Sequence, residues 1–144
     1  MFEARADVTV PATSAAAYAA VSDLEHADWL PAVRGLRHIG GPKHDVGARY
    51  EVEAGMLGRH LRGILVCREA HKPSHMMIEL EEGLDLKISV DITEVGSGCN
   101  IEIVAKYSVG AGPLAIAAGR ASQGAARREV ARAVEQLSAR LVRQ

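Results

Sequence analysis

Aromatic residues are scarce in this sequence of 144 residues: one Phe, one Trp and three Tyr make up 3% of the chain. Proteins that bind single-stranded nucleic acid stack the bases on aromatic side chains, so this scarcity argues against that function. The formal net charge is −1, and the Lys and Arg residues are spread along the chain. We therefore expect no nucleic-acid partner and no general attraction to an anionic membrane.

Cysteines and long apolar runs are scarce as well. Cys67 and Cys99 form no Cys-x-x-Cys motif and lie in apolar stretches, which predicts two buried free thiols. No apolar run reaches about 18 residues, so we expect no integral membrane segment. Residues 1–5 contain no basic region followed by an apolar run, so we expect no signal peptide and a cytoplasmic location.

Alternation of apolar and polar residues predicts a strand over residues 2–10 and about six more strands before residue 110. These further strands are predicted at 33–39, 48–54, 60–68, 76–81, 84–93 and 100–109. An Ala-rich helix capped by Thr13 or Ser14 runs to about Val21, and a second helical turn covers residues 24–28. A long helix from Pro113 to Gln144 ends the chain. This order indicates a single α+β domain over residues 1–144, with an antiparallel sheet that the long helix covers.

The long C-terminal helix has two different inner faces. Its second half carries a bulky stripe at the spacings of an amphipathic helix, formed by Val130, Val134, Leu137 and Leu141. Towards the N-terminus the positions on the same face are Ala126, Gln123 and Gly119, and the next large side chain is that of Ile116. The missing bulk predicts room for a ligand between helix and sheet. Close packing of an Ala-rich helix on the sheet is the alternative.

Three landmarks of the chain have a familiar order. Residues 8–12 (VTVPA) lead from the first strand into a helix, residues 29–33 (WLPAV) follow Asp23 at a bend, and residues 46–50 (VGARY) begin a strand. Together they resemble the START-like or SRPBCC superfamily of polyketide cyclases and lipid-transfer proteins, over essentially the whole chain. The resemblance implies a helix-grip fold: a curved antiparallel sheet of about six to seven strands around a long C-terminal helix, with two short N-terminal helices.

The same resemblance implies a hydrophobic cavity between the sheet and the long helix. Apolar ligands are held by an aliphatic wall with a few polar groups. The predicted ligand-binding residues are Trp29, Tyr50, Leu65, Met76, Ile78, Ile88, Ile103, Ile116, Gly119 and Gln123. Plain core packing is the alternative for each aliphatic side chain.

Few residues of the sequence suggest a catalytic role. His60, Tyr50 and Tyr107 are the candidates for an acid or base if the protein is an enzyme. His71 and His75 have the spacing of zinc ligands on a helix, but Pro73 opposes a helix there. We therefore expect no metal and no other cofactor.

The sequence leaves three functions open. The first is binding or carriage of a small hydrophobic ligand, such as a lipid or polyketide. The second is a polyketide cyclase, aromatase or dehydratase that acts on a substrate in the same cavity. The third is a module that docks on a partner protein through the outer face of its sheet. The oligomeric state is open as well, a homodimer included.

Overall fold

Residues 2–30, 33–56, 59–81, 85–108 and 113–142 are described by the computed structural model of the protein. For residues 56, 59, 61 and 113–122 it describes the backbone alone. The strands are β1 (Phe2–Val10), β2 (Val33–Gly40), β3 (Arg49–Met56), β4 (Arg59–His71), β5 (His75–Leu80), β6 (Asp85–Val95) and β7 (Gly98–Ser108). The helices are α1 (Ser14–Ser22) and α2 (Pro113–Val142).

The observed elements follow the predicted order, and their ends lie within a few residues of the predicted ones. The Thr13 hydroxyl accepts a hydrogen bond from the backbone N–H of Ala16 at 3.1 Å, which caps α1 as expected. One prediction needs correction. The second short N-terminal helix is only a three-residue 3-10 turn, Leu24–His26.

All seven strands form one antiparallel sheet in the order β1-β7-β6-β5-β4-β3-β2. The first strand therefore pairs with the last one, and β1 and β2 are the two edges. Gly98 is required where β7 begins, because a Cβ atom there would collide with the backbone oxygen of Val10. The predicted tight hairpin is present at Gly96 and Ser97, and Gly96 has a left-handed φ of 54°.

The two faces of the sheet differ as the alternation predicts. On β6, Leu86, Ile88, Val90 and Ile92 are buried, whereas the residues between them are exposed or half-buried. Ion pairs lie on the outer face, for example Arg49 with Glu81 at 2.8 Å. Such exposed pairs contribute about 0–1 kcal/mol each, so the buried inner face provides most of the stability.

α2 lies across the inner face and packs directly on β1, β7 and α1. The predicted bulky stripe is buried, with Leu137 fully enclosed. Arg140 fixes the end of the helix: its guanidinium donates hydrogen bonds to the His26 carbonyl at 2.8 Å and to Asp28 at 3.1 Å. Within the described ranges, no helix is both long enough and apolar enough to cross a membrane.

Replacement of Leu137 by Ala tests the anchoring of α2. We expect a loss of about 2–5 kcal/mol in the free energy of unfolding, because the side chain is fully buried and its removal leaves a cavity. Urea unfolding followed by circular dichroism measures the loss. Val142→Ala on the same helix is the control, since Val142 is 59% exposed and should change stability little. Equal effects of the two variants would contradict the anchoring role.

Candidate functional site

The predicted aliphatic ligand contacts lie together on the inner face of the sheet. Tyr50 on β3 is directly opposite Leu65 on β4, and Ile78 on β5 is opposite Ile88 on β6. Tyr50, Leu65, Met76, Ile78, Ile88 and Ile103 all belong to the buried core, with exposed fractions of 9% or less. The structure therefore brings these residues into one apolar surface.

The remaining predicted contacts lie on or near the helices. Trp29 follows the 3-10 turn and is fully buried, and its indole N–H has no hydrogen-bond partner among the described residues. Gln123 on α2 is half-buried, and Ala126 one turn later is buried. Ile116 and Gly119 belong to the part of α2 whose side chains lie outside the described residues.

The three catalytic candidates do not form one cluster. Tyr50 on β3 and Tyr107 on β7 are both buried on the inner face, but three strands lie between them, a separation of about 19 Å along the sheet. Tyr107 stacks on Phe2 of the edge strand β1, with ring centroids 5.6 Å apart. His60 is half-exposed on β4 and contacts the Glu53 carboxylate at 3.0 Å. His60 therefore lies on the outer face, away from both tyrosines.

A buried polar cluster lies near α1, formed by Tyr18, Tyr50 and Cys67. Burial raises the pKa of each phenol and of the Cys67 thiol. A raised pKa keeps all three groups neutral at physiological pH, which opposes a tyrosinate base or a thiolate nucleophile. Cys67 and Cys99 are buried free thiols, as predicted. Sequence reasoning missed Tyr18, although it is the one aromatic residue of the Ala-rich α1.

His75 holds three strands together on the outer face. Its two ring nitrogens contact Glu69 on β4 at 2.6 Å and Asp91 on β6 at 2.7 Å. The ring also stacks on His71, with centroids 5.9 Å apart. In the part of the chain that the structure describes, no three His, Cys, Asp or Glu side chains are arranged as the ligands of a metal ion. The histidine pair of the sequence is thus part of an ion-pair cluster.

Partial burial lowers the pKa of His75, but the hydrogen bonds to Glu69 and Asp91 outweigh it and raise the pKa overall. A pKa raised by folding stabilises the protein below the unfolded-state value of about 6.5, and this stabilisation is lost as the pH rises through the folded-state pKa.

We therefore expect His75→Gln to lose most stability near pH 5 and progressively less above about pH 7. Urea unfolding of both proteins at several pH values tests this, and a difference independent of pH would contradict it.

A family model described as polyketide cyclase / dehydrase and lipid transport matches residues 1–143. No protein of curated function matches the chain by sequence.

Solved structures with the same fold are numerous. TTHA0849 from Thermus thermophilus is 17% identical, with a TM-score of 0.83 over 99% of this chain and 98% of its own. A START superfamily protein from Mycobacterium smegmatis is 15% identical, with a TM-score of 0.68 over 94% of this chain and 98% of its own. The di-domain ARO/CYC BexL from the BE-7585A biosynthetic pathway is 19% identical, with a TM-score of 0.72 over 100% of this chain and 48% of its own. At these identities the similarity establishes the helix-grip fold.

Proposed function

Since the chain belongs to the polyketide cyclase/dehydrase and lipid-transport family, we propose that it binds a small hydrophobic molecule between the sheet and α2. The ligand is a lipid, a polyketide or a molecule of similar character. Its apolar part lies on the inner faces of β3 to β6, where the wall is almost entirely aliphatic.

The uneven packing of α2 is the observation that carries this proposal. The backbone of the helix approaches β1 and β7 closely, and among the described residues it approaches β3 to β6 less closely. These strands nevertheless turn large side chains inward, including Leu65, Met76 and Ile78. A helix anchored on one side of the sheet and further from the other can admit a ligand without losing its anchor.

The chemistry of the wall determines what kind of ligand suits it. Apolar burial contributes roughly 25 cal/mol per Å², so about 300 Å² of ligand surface gains about 7 kcal/mol before the entropy of association is subtracted. The buried N–H of Trp29 lacks a partner among the described residues, so a carbonyl or hydroxyl oxygen of the ligand can accept from it. The amide of half-buried Gln123 is a second polar group for orientation.

A cyclase acting in the same site is the second candidate, and the similarity in fold to the ARO/CYC protein BexL favours it. Against it stands the separation of the acid–base candidates. Three strands lie between Tyr50 and Tyr107, and His60 lies on the outer face of the sheet. Binding without chemistry is therefore the better-supported function.

Substitutions at the proposed site beside α2 test the binding proposal. Gly119→Leu should weaken binding of the neutral fluorescent probe N-phenyl-1-naphthylamine by about tenfold or more, because the added side chain occupies the ligand's volume. Gln123→Leu should weaken it as well, because the amide that orients the ligand is lost. Ala139→Leu is the matched control, since Ala139 is exposed on the same helix. Fluorescence titration gives the affinities. Unchanged affinity in both variants would disprove the location of the site.

The natural ligand can be sought directly. Native mass spectrometry of the protein purified from its own host should show an added mass that disappears in organic solvent. The same preparation of Gln123→Leu should carry less of it, whereas Ala139→Leu should carry as much as wild type.

Tyr50→Phe separates binding from catalysis. The change removes the hydroxyl while preserving the ring, so a carrier should lose less than about tenfold in affinity for the co-purified ligand. A cyclase that uses this hydroxyl as its acid should lose about 10²–10⁴-fold in turnover. Chromatography of a linear polyketide incubated with each protein shows whether any cyclised product forms. Product formation by wild type that Tyr50→Phe abolishes would favour the cyclase.

A further inference from the structure

A cleft of about 780 Å³ lies on the surface between α1, the β2–β3 loop and the β4–β5 turn. α1 contributes Ala15, Tyr18 and Ala19, and the two connections contribute Lys43, His44 and Lys72. Its volume is that of a site for a small organic molecule. Apart from Tyr18, no residue of its lining belongs to the buried hydrophobic core, so the cleft is distinct from the proposed site beneath α2.

The cleft is held in shape by contacts between its own walls. The Lys43 ammonium pairs with the Glu25 carboxylate at 2.9 Å, and His44 donates from Nδ1 to the Ser22 carbonyl at 2.8 Å. The second contact assigns the proton to Nδ1, because a carbonyl only accepts. The β2–β3 loop is thereby tied to α1 and to the 3-10 turn. A cleft already formed in the free protein loses little entropy on binding.

Two polar groups at the cleft have no partner among the described residues. Tyr18 is 3% exposed, and its hydroxyl makes no hydrogen bond within the described part of the chain. The ammonium of exposed Lys72 forms no ion pair with any described carboxylate. The Tyr18 hydroxyl is shielded from solvent, so Lys72 is the unpartnered group that a ligand in the cleft can reach.

The charges of the cleft select the sign of the ligand. Both carboxylates of the lining already have a partner: Glu25 pairs with the Lys43 ammonium at 2.9 Å, and Asp23 contacts the His26 ring at 3.1 Å. Lys72 is the charged group of the lining that has no partner among the described residues, and it favours an anion beside it. The methyl groups of Ala15 and Ala19, one helical turn apart, provide a flat apolar wall.

We infer that this cleft is a second binding site, for a small organic anion with a flat or branched apolar body, such as an aromatic carboxylate. The apolar body lies against α1, and the carboxylate meets Lys72.

Binding of 2-naphthoate, measured by calorimetry and by ¹H–¹⁵N NMR shifts, tests this inference. Signals of α1 and residues 43–44 and 72–73 should move. Ala19→Leu fills the cleft and should weaken binding at least about tenfold, and Lys72→Ala should weaken it about two- to fivefold, as for an exposed ion pair. The neutral 2-naphthamide should bind wild type and Lys72→Ala equally. Ala139→Leu and Lys106→Ala, at exposed positions elsewhere, should bind naphthoate as wild type does.

Gln123→Leu distinguishes this site from the one beneath α2. The variant should keep its affinity for naphthoate even if it no longer takes up the neutral hydrophobic probe. Loss of naphthoate binding in Gln123→Leu, or full affinity in both Ala19→Leu and Lys72→Ala, would overturn the inference.

Discussion

The packing of α2 on the β1–β7 pair is the contact on which the rest of the structure depends. The pairing of β1 with β7 gives the helix a two-stranded base, over which it buries its stripe, including Leu137. Small side chains on both surfaces, Ala4 and Ala6 on β1 and Ala126 and Ala133 on α2, allow a close approach. Part of the loss of bulk along α2 is thus explained by tight packing, the alternative that the sequence left open. The interpretation that missing bulk leaves room for a ligand then concerns only the positions of α2 before Ala126.

The fold was accessible from sequence because each strand has one apolar face and the turns carry Gly or Pro. Alternation identified residues such as Ile78 and Ile88 as inward-facing, and the structure places them opposite each other. The face of His60 was harder to predict, because residues 64–66 are consecutive apolar residues that hide the alternation in the middle of β4. His60 and Leu65 are an odd number of residues apart on β4, so they belong to opposite faces of the sheet, and the register with β3 shows that Leu65 is opposite the buried Tyr50.

The surface cleft could not be predicted in the same way, because its walls come from three segments distant in sequence. Lys72 belongs to a turn, Lys43 to a loop and Ala19 to a helix, and no local pattern links them. The ion-pair cluster around His75 has the same origin, since its carboxylates come from the two strands that flank β5 in register. A single sequence displays periodicity along the chain, whereas these two sites form between segments that only the folded chain brings together.

The electrostatics of the interior support our proposal of a carrier over that of an enzyme. Acid–base catalysis needs a group whose pKa lies near the working pH. Burial moves the pKa values of Tyr18, Tyr50 and Cys67 upward, further from neutrality. The histidines with ion-pair partners, such as His60 and His75, are engaged with carboxylates outside the apolar surface. An interior of neutral phenols, a neutral thiol and aliphatic side chains can orient a ligand through hydrogen bonds, but it offers little driving force for proton transfer.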